Sequence, residues 1–128
     1  MVLPSSMRIK GHRCFGHLHR TGVKFHSHSM LLRVAKARPK IMKGTYRDSE
    51  SKTCRCAVVI SAKVSKKAVI RNRLRRLIHN HLRLRLESTP QKISSWALLT
   101  IKPSNMPKNI APLLEECDKL LRDAGLIS

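Results

Sequence analysis

Acidic residues are almost missing from the first two thirds of this chain. Residues 1–47 contain eleven Lys or Arg and no Asp or Glu, and residues 51–86 again contain eleven and none. Carboxylate pairs for general acid–base work, and carboxylates that hold catalytic metals, are therefore excluded from most of the sequence. The two acids between those stretches, Asp48 and Glu50, fall in a polar segment that reads as loop. A Gly-rich phosphate loop, a Gly-x-Ser-x-Gly elbow and a His-Glu-x-x-His helix are also lacking, which removes the common nucleotide-hydrolase, serine-hydrolase and metalloprotease chemistries. Aromatic residues make up only 3%. No apolar run approaches a membrane span, and Met1 to Arg13 lacks the apolar stretch of a signal peptide. A cytoplasmic protein with no membrane partner is expected.

Cysteine and histidine are present in patterns that first suggest metal. Cys54-x-Cys56 and three His-x-His pairs (His17/His19, His26/His28, His79/His81) stand out. Structural zinc usually takes ligands two to four residues apart in each half-site, and His-x-His on a helix points its rings to different faces. Ordinary polar contacts are the better reading, and no metal site is assigned. With Cys14 and Cys117 the cysteines number four, and in a cytoplasmic chain they are expected as reduced thiols. His17 with His19 imitates a nuclease pair, but the helix surface is the favoured reading, and no catalytic residue is assigned.

Positive charge is what the chain has in abundance. Its formal net charge is +20 over 128 residues. From Lys108 to the end, by contrast, Glu115, Glu116, Asp118 and Asp123 outnumber Lys108, Lys119 and Arg122, so this segment is expected to face away from a polyanionic partner. Charge on this scale favours nucleic acid, through counterion release. A hydrophobic content of 41% still allows a core, and the length fits one RNA-binding domain, 1–128.

The pattern predicts an α+β fold in the order α-β-β-β-α-β-α. A flexible arm, 1–6, leads into a helix from about Met7 to Thr21, with Gly22 as its stop. Val23–His26 and Met30–Ala35 have strand character. The polar stretch 37–53 reads as a loop between strands. Arg55–Val64 is the clearest strand, with Cys56, Val58, Ile60, Ala62 and Val64 on one side and Arg55, Ala57, Val59, Ser61 and Lys63 on the other. A helix then runs to about Glu87, followed by a buried strand from Ser94 to Ile101 and a last helix from Asn109 to Leu121, capped near Gly125.

The densest chemical signal lies at the start of the central helix, in Arg71-Asn72-Arg73-Leu74-Arg75-Arg76. Leu74, Leu77, Ile78 and Leu82 recur at helical spacing and predict a core-facing stripe, opposite Asn72, Arg75, Arg76, His79 and Arg83. Guanidinium groups meet phosphate oxygens in a planar, bidentate fork and also stack on bases. Phe15 lies amid Arg13, His17 and Arg20 with little other apolar surface around it. Stacking on an unpaired base and anchoring in a core are both open to it.

The run from Val59 to Ile78, Val-Ile-Ser-Ala-Lys-Val-Ser-Lys-Lys-Ala-Val-Ile-Arg-Asn-Arg-Leu-Arg-Arg-Leu-Ile, closely resembles the signature of the bacterial ribonuclease P protein component. Leu3-Pro4, Met7-Arg8-Ile9, Phe15 and Gly22 fall in that family's order, and Trp96 to Pro103 resembles its last strand. The stretch 37–53 looks like an insertion. The resemblance implies a protein subunit that assists a catalytic RNA in removing the 5′ leader of precursor tRNA, with Mg2+ in the RNA active site and no metal on dedicated protein ligands. It implies a left-handed βαβ crossover, against the usual hand. Catalytic-RNA binding would fall to Lys66, Lys67, Arg71, Asn72, Arg73, Arg75 and Arg76. A cleft between the Arg-rich helix and the sheet would hold the leader, lined by Phe15, His19, Leu31, Arg33, Ser61 and Lys63. His19 stands where many members have a second Phe, Arg33 where an aromatic is common, and Ala62 where Lys is usual. Leader contact would thus rest less on stacking and more on charge.

The partners expected are the catalytic RNA subunit and precursor tRNA, with no obligate protein partner. A structural ribosomal protein or rRNA-binding assembly factor would share the charge and the small fold. The Arg-Asn-Arg helix after a Ser-x-Lys strand argues against it. A DNA-binding regulator would need a recognition-helix pair that the sequence does not display. A metal-dependent nuclease acting alone would cleave without RNA.

Overall fold

The computed structural model describes residues 8–9, 12–36, 54–60, 63–64, 66–87, 95–102 and 110–127. The elements are α1 (His12–Thr21), β1 (Val23–His26), β2 (Met30–Lys36), β3 (Arg55–Val59), α2 (Ala68–Glu87), β4 (Ser95–Ile101) and α3 (Ile110–Asp123). Their order is the expected one. The 1–6 arm, the 37–53 loop, Ser61 and Ala62 lie outside the described residues.

The four strands form one mixed sheet in the order β1-β2-β4-β3. β1 pairs antiparallel with β2, β2 antiparallel with β4, and β3 parallel with β4. β3, α2 and β4 thus make a βαβ unit of adjacent parallel strands. Because side chains alternate across a strand, the register divides the sheet into two faces. Phe25, Leu32, Leu99 and Val58 lie in one row, and Lys24, Arg33, Leu98 and Ala57 lie in a row on the other side.

The first face is closed. Met30, Leu32, Cys56, Val58, Ala97, Leu99 and Ile101 pack there against Ile78, Leu82 and Leu86 of α2 and Leu113, Cys117, Leu120 and Leu121 of α3. Each fully buried Leu or Ile contributes about 1.5–3 kcal/mol of transfer free energy. α2 sits slightly rotated from the stripe expected of it: Leu86 is buried, whereas Leu77 is 44% exposed. Asp118 ties the two helices together, accepting from Arg85 Nη2 at 3.1 Å and lying 2.7 Å from His81 Nε2. α3 ends in a Schellman turn. Gly125 adopts φ 75°, its N–H donates to Arg122 O, and the Leu126 N–H reaches Leu121 O while the Leu126 side chain is buried.

The second face is covered over part of its area by α1. Cys14 and Leu18 pack with Ile9, Ala35, Trp96 and Leu98, and Phe15 and Ala57 are partly buried against them. His17 is buried, contrary to the surface position expected of it, because the helix turns that ring edge-on to Trp96 at 5.8 Å between centroids. Both its nitrogens are engaged, Nε2 with Lys36 O and Nδ1 with Thr21 Oγ1.

Two boundaries differ from expectation. The helix beginning near Met7 is observed as α1 from His12. Arg8 instead forms a parallel bridge with Cys56, and its carbonyl accepts from the buried Arg55 Nη1 at 3.0 Å. The strand expected over Arg55–Val64 stops at Val59, and Lys63–Val64 form a turn. Gly22 does end α1, but by close approach: a β-carbon there would collide with Leu18 O.

Candidate nucleic-acid interface

The first candidate surface is the start of α2. Lys67 O accepts from the N–H groups of Ile70 and Arg71, so Lys67 sits at the N-cap, and the first turn carries no acid. Cations at a helix N-terminus oppose the macrodipole. The same place is a good seat for phosphate, where free N–H groups and positive charge combine. Lys66, Lys67, Asn72, Arg73 and Arg76 are exposed, and Arg71 and Arg75 are half-buried. Asn72 Oδ1 accepts from Arg75 Nη1 at 3.0 Å, which holds that guanidinium along the helix. All seven residues expected to bind catalytic RNA are thus gathered on the first three turns of one helix and the two residues before it.

One flank of this helix carries strong like-charge crowding. His79 is half-buried and its pKa is lowered to about 4, by burial first and then by the Arg75 and Arg8 charges. Its Nδ1 and the Nε of Arg83 are buried without a hydrogen-bond partner. Arg75, His79 and Arg83 therefore line the border of the core, and Arg73 and Arg76 stand farther out.

The second candidate surface is the part of the sheet that α1 leaves open. This places the cleft differently from the sequence expectation. α2 packs tightly on the opposite face, so the open strip lies between α1 and the sheet. Leu31 and Arg33 point into it from β2, half-exposed. Phe15, half-buried, and His19, exposed, lie one turn apart on the flank of α1. Gly22 brings the end of that helix against Arg33, whose Cβ is 3.3 Å from where a glycine side chain would begin. Phe15 thus partly joins the core and partly faces out. Lys63 is exposed in the turn beyond β3, and Ser61 lies outside the described residues.

Three residues of this strip were not expected. Thr100 of β4 and Ala57 and Val59 of β3 share the face through the pairs Leu31↔Thr100, Val59↔Thr100 and Ala57↔Leu98. Alternation in β3 pointed to Ala57 and Val59. Thr100 becomes visible only once β4 is known to lie between β2 and β3.

Cys54, Cys56 and Cys117 share the larger core. Cys54 and Cys117 are buried with pKa values pushed up to about 12, and burial pushes Cys56 well above its ordinary value. Burial thus favours the neutral thiol at all three. Among the described residues no group of three or more His, Cys, Asp or Glu is placed to hold a metal ion. No described helix is long and apolar enough to cross a membrane.

Comparison with known proteins agrees with this architecture. The Ribonuclease P family matches residues 3–125. A ribonuclease P protein component of Prochlorococcus marinus (strain MIT 9313) is 56% identical over 128 residues, covering all of both chains. One from Synechococcus sp. (strain CC9902) is 52% identical over 126 residues, 98% of each chain. In three dimensions the Staphylococcus aureus RNase P protein superposes with a TM-score of 0.75 at 15% identity, over 95% of this chain and 98% of that one. The Thermotoga maritima RNase P protein gives 0.56 at 16% identity, over 93% and 87%. The chain belongs to the ribonuclease P protein family, the protein component of the endoribonuclease that matures tRNA 5′ ends.

Proposed function

We propose that the two surfaces divide the work of a ribonuclease P subunit. The start of α2, with Lys66, Lys67, Arg71, Asn72, Arg73, Arg75 and Arg76, docks on the catalytic RNA. The strip between α1 and the sheet, with Phe15, His19, Leu31, Arg33, Ser61 and Lys63, holds the single-stranded leader of precursor tRNA. The observation that carries this reading is their continuity. The chain leaves the strip at Val59 and enters α2 at Ala68, just after Lys66 and Lys67, so in this reading a strand emerging from the catalytic RNA passes next to the open sheet.

Hydrolysis belongs to the RNA in this reading, and Mg2+ acts there. What the protein supplies is binding. Arg73 and Arg76 neutralise phosphates, and Phe15 offers the part of its ring that the smaller core leaves uncovered, so a leader base stacks there while Arg33 pairs with its backbone charge. Affinity for precursor over mature tRNA comes from these contacts, since mature tRNA has no strand to place in the strip. The setting is the cytoplasm. The Ribonuclease P family match over residues 3–125 counts against the ribosomal alternative.

Reconstitution tests it. Transcribed catalytic RNA with this protein should remove the leader at low magnesium, where RNA alone is slow and protein alone is inactive. Arg73→Glu should weaken affinity for the catalytic RNA whatever the leader length, and Arg76→Ala should lower the slope of log affinity against log salt by up to about one unit. Cleavage at the mature end by RNA-free protein, or recovery of ribosomal RNA alone from a lysate, would overturn the proposal.

A further inference from the structure

The open strip does not end at Arg33. Beyond β2 lies β1, the edge strand, and its register continues both rows of the face: Lys24 lies opposite Arg33, and His26 lies opposite Leu31. Lys24 and His26 are exposed. Alternation turns them to the same side as Leu31, Arg33 and Thr100, so the strip crosses all four strands, about 14 Å at three inter-strand steps.

The pairing of Lys24 with Arg33 is unfavourable by itself. Like charges directly opposite across antiparallel strands repel. None of the ion pairs among the described residues reaches either of them. The Nε of Arg33 is buried with no hydrogen-bond partner, so this guanidinium is held at the sheet with no acid paired to it. Two cations set opposite each other, neither offset by an acid among the described residues, thus call for negative charge at one point of the sheet. Glu116 of the C-terminal helix is committed elsewhere, to the Ser29 N–H at 2.8 Å.

We propose that Lys24, His26 and Arg33 form a phosphate site at the far end of the leader track. The inference rests on the leader reading above and adds a direction to it. A leader that leaves the catalytic RNA at the start of α2 crosses β3 first, then β4 and β2, and reaches β1 last. Lys24 and His26 then hold the backbone of nucleotides distant from the cleavage site, and this chain distinguishes long leaders from short ones. Charge on an edge strand has another use, since it deters edge-to-edge pairing between molecules. That use predicts no dependence on leader length.

The experiment measures affinity of the reconstituted holoenzyme for precursor tRNAs whose leaders are lengthened one nucleotide at a time, and for mature tRNA. The proteins compared are wild type, Lys24→Glu, Lys24→Thr and, as a control with the same charge change on α3, Lys119→Glu. For wild type, affinity should rise with leader length and then level off. Lys24→Glu should bind the longest leaders about fivefold more weakly and level off at a shorter leader. Lys119→Glu should keep the wild-type length profile. Lys24→Thr should lose the long-leader gain although its free protein melts no lower than wild type, because the substitution relieves repulsion by Arg33. An equal loss at every leader length, or no loss at any, overturns the inference while leaving the leader strip itself standing. A wild-type enzyme indifferent to leader length would instead refute the leader reading, and this inference with it.

Discussion

The two faces of the sheet are built to different standards of closure. On one side α2 and α3 bury a continuous core in which Ile78, Leu82, Leu86, Leu113 and Cys117 are all 2% exposed or less. On the other, α1 covers Ala35, Trp96 and Leu98 and stops, leaving Leu31, Arg33 and Thr100 half-exposed and Val59 39% exposed. On the proposed function the difference separates stability from recognition. A face meant to bind a single strand must keep its side chains accessible, and the cost of that openness falls on the core behind it. Charge follows the same division. The C-terminal helix supplies Asp118 to pair with Arg85 of α2, whereas no ion pair among the described residues neutralises Lys24 or Arg33.

The largest effect should come from the closed face. Leu82→Ala removes a side chain that is 2% exposed between α2 and the sheet, and truncation at such a site costs about 2–5 kcal/mol. Denaturant melts of the free protein should show that loss, and catalytic-RNA docking and leader binding should fall together. A Leu82→Ala protein that melts normally yet loses only leader binding would break the assignment of the two faces.

Much of this division was legible in the sequence, but not its orientation. The extent of α2 and the end of α3 were readable because their signals are local: guanidinium and leucine periodicity for one, Gly125 for the other. β3 ended early for a reason no local pattern carries. Its alternation continues past Val59, but Val59 already pairs with Thr100, and β4 closes one residue later at Ile101. The side of the sheet was hidden for a similar reason. The sequence set Leu31 and Arg33 beside the Arg-rich helix, yet only the register, with Leu32 rather than Leu31 in the α2 core, shows that they lie on the face that α1 covers. His17 was misplaced because its partner, Trp96, is 79 positions away in the sequence.

Phe15 gives a smaller and sharper test, since the proposal gives it a share in leader binding while it also packs on the smaller core. Phe15→Ala should cost about 1–3 kcal/mol in affinity for precursor tRNA by the assembled complex, as expected for a base–aromatic stack, and leave mature tRNA binding unchanged. Because the ring also packs against the smaller core, the melt should fall modestly, with the protein still folded at the assay temperature. Equal losses toward precursor and mature tRNA in a folded protein would remove Phe15 from the leader site and leave it as an anchor for α1.

The smallest effect is a dependence on pH that should arise at the border of the closed face and not at the open one. His79 is held neutral in the folded protein, its pKa lowered to about 4 by burial and by Arg75 and Arg8, whereas in the unfolded chain it titrates near its ordinary value of about 6.5. The unfolded state therefore binds the proton first as pH falls. The stability associated with neutral His79 is complete above about pH 6.5 and is lost progressively between there and about pH 4. His79→Gln, which cannot take up that proton, should flatten the decline of the melting temperature across this window at constant ionic strength. Phe15→Ala should leave the slope as it is in wild type. If the slope of His79→Gln matches wild type instead, the ring is solvated enough to protonate in place, and the arginine-lined flank of α2 is more open than the core it borders.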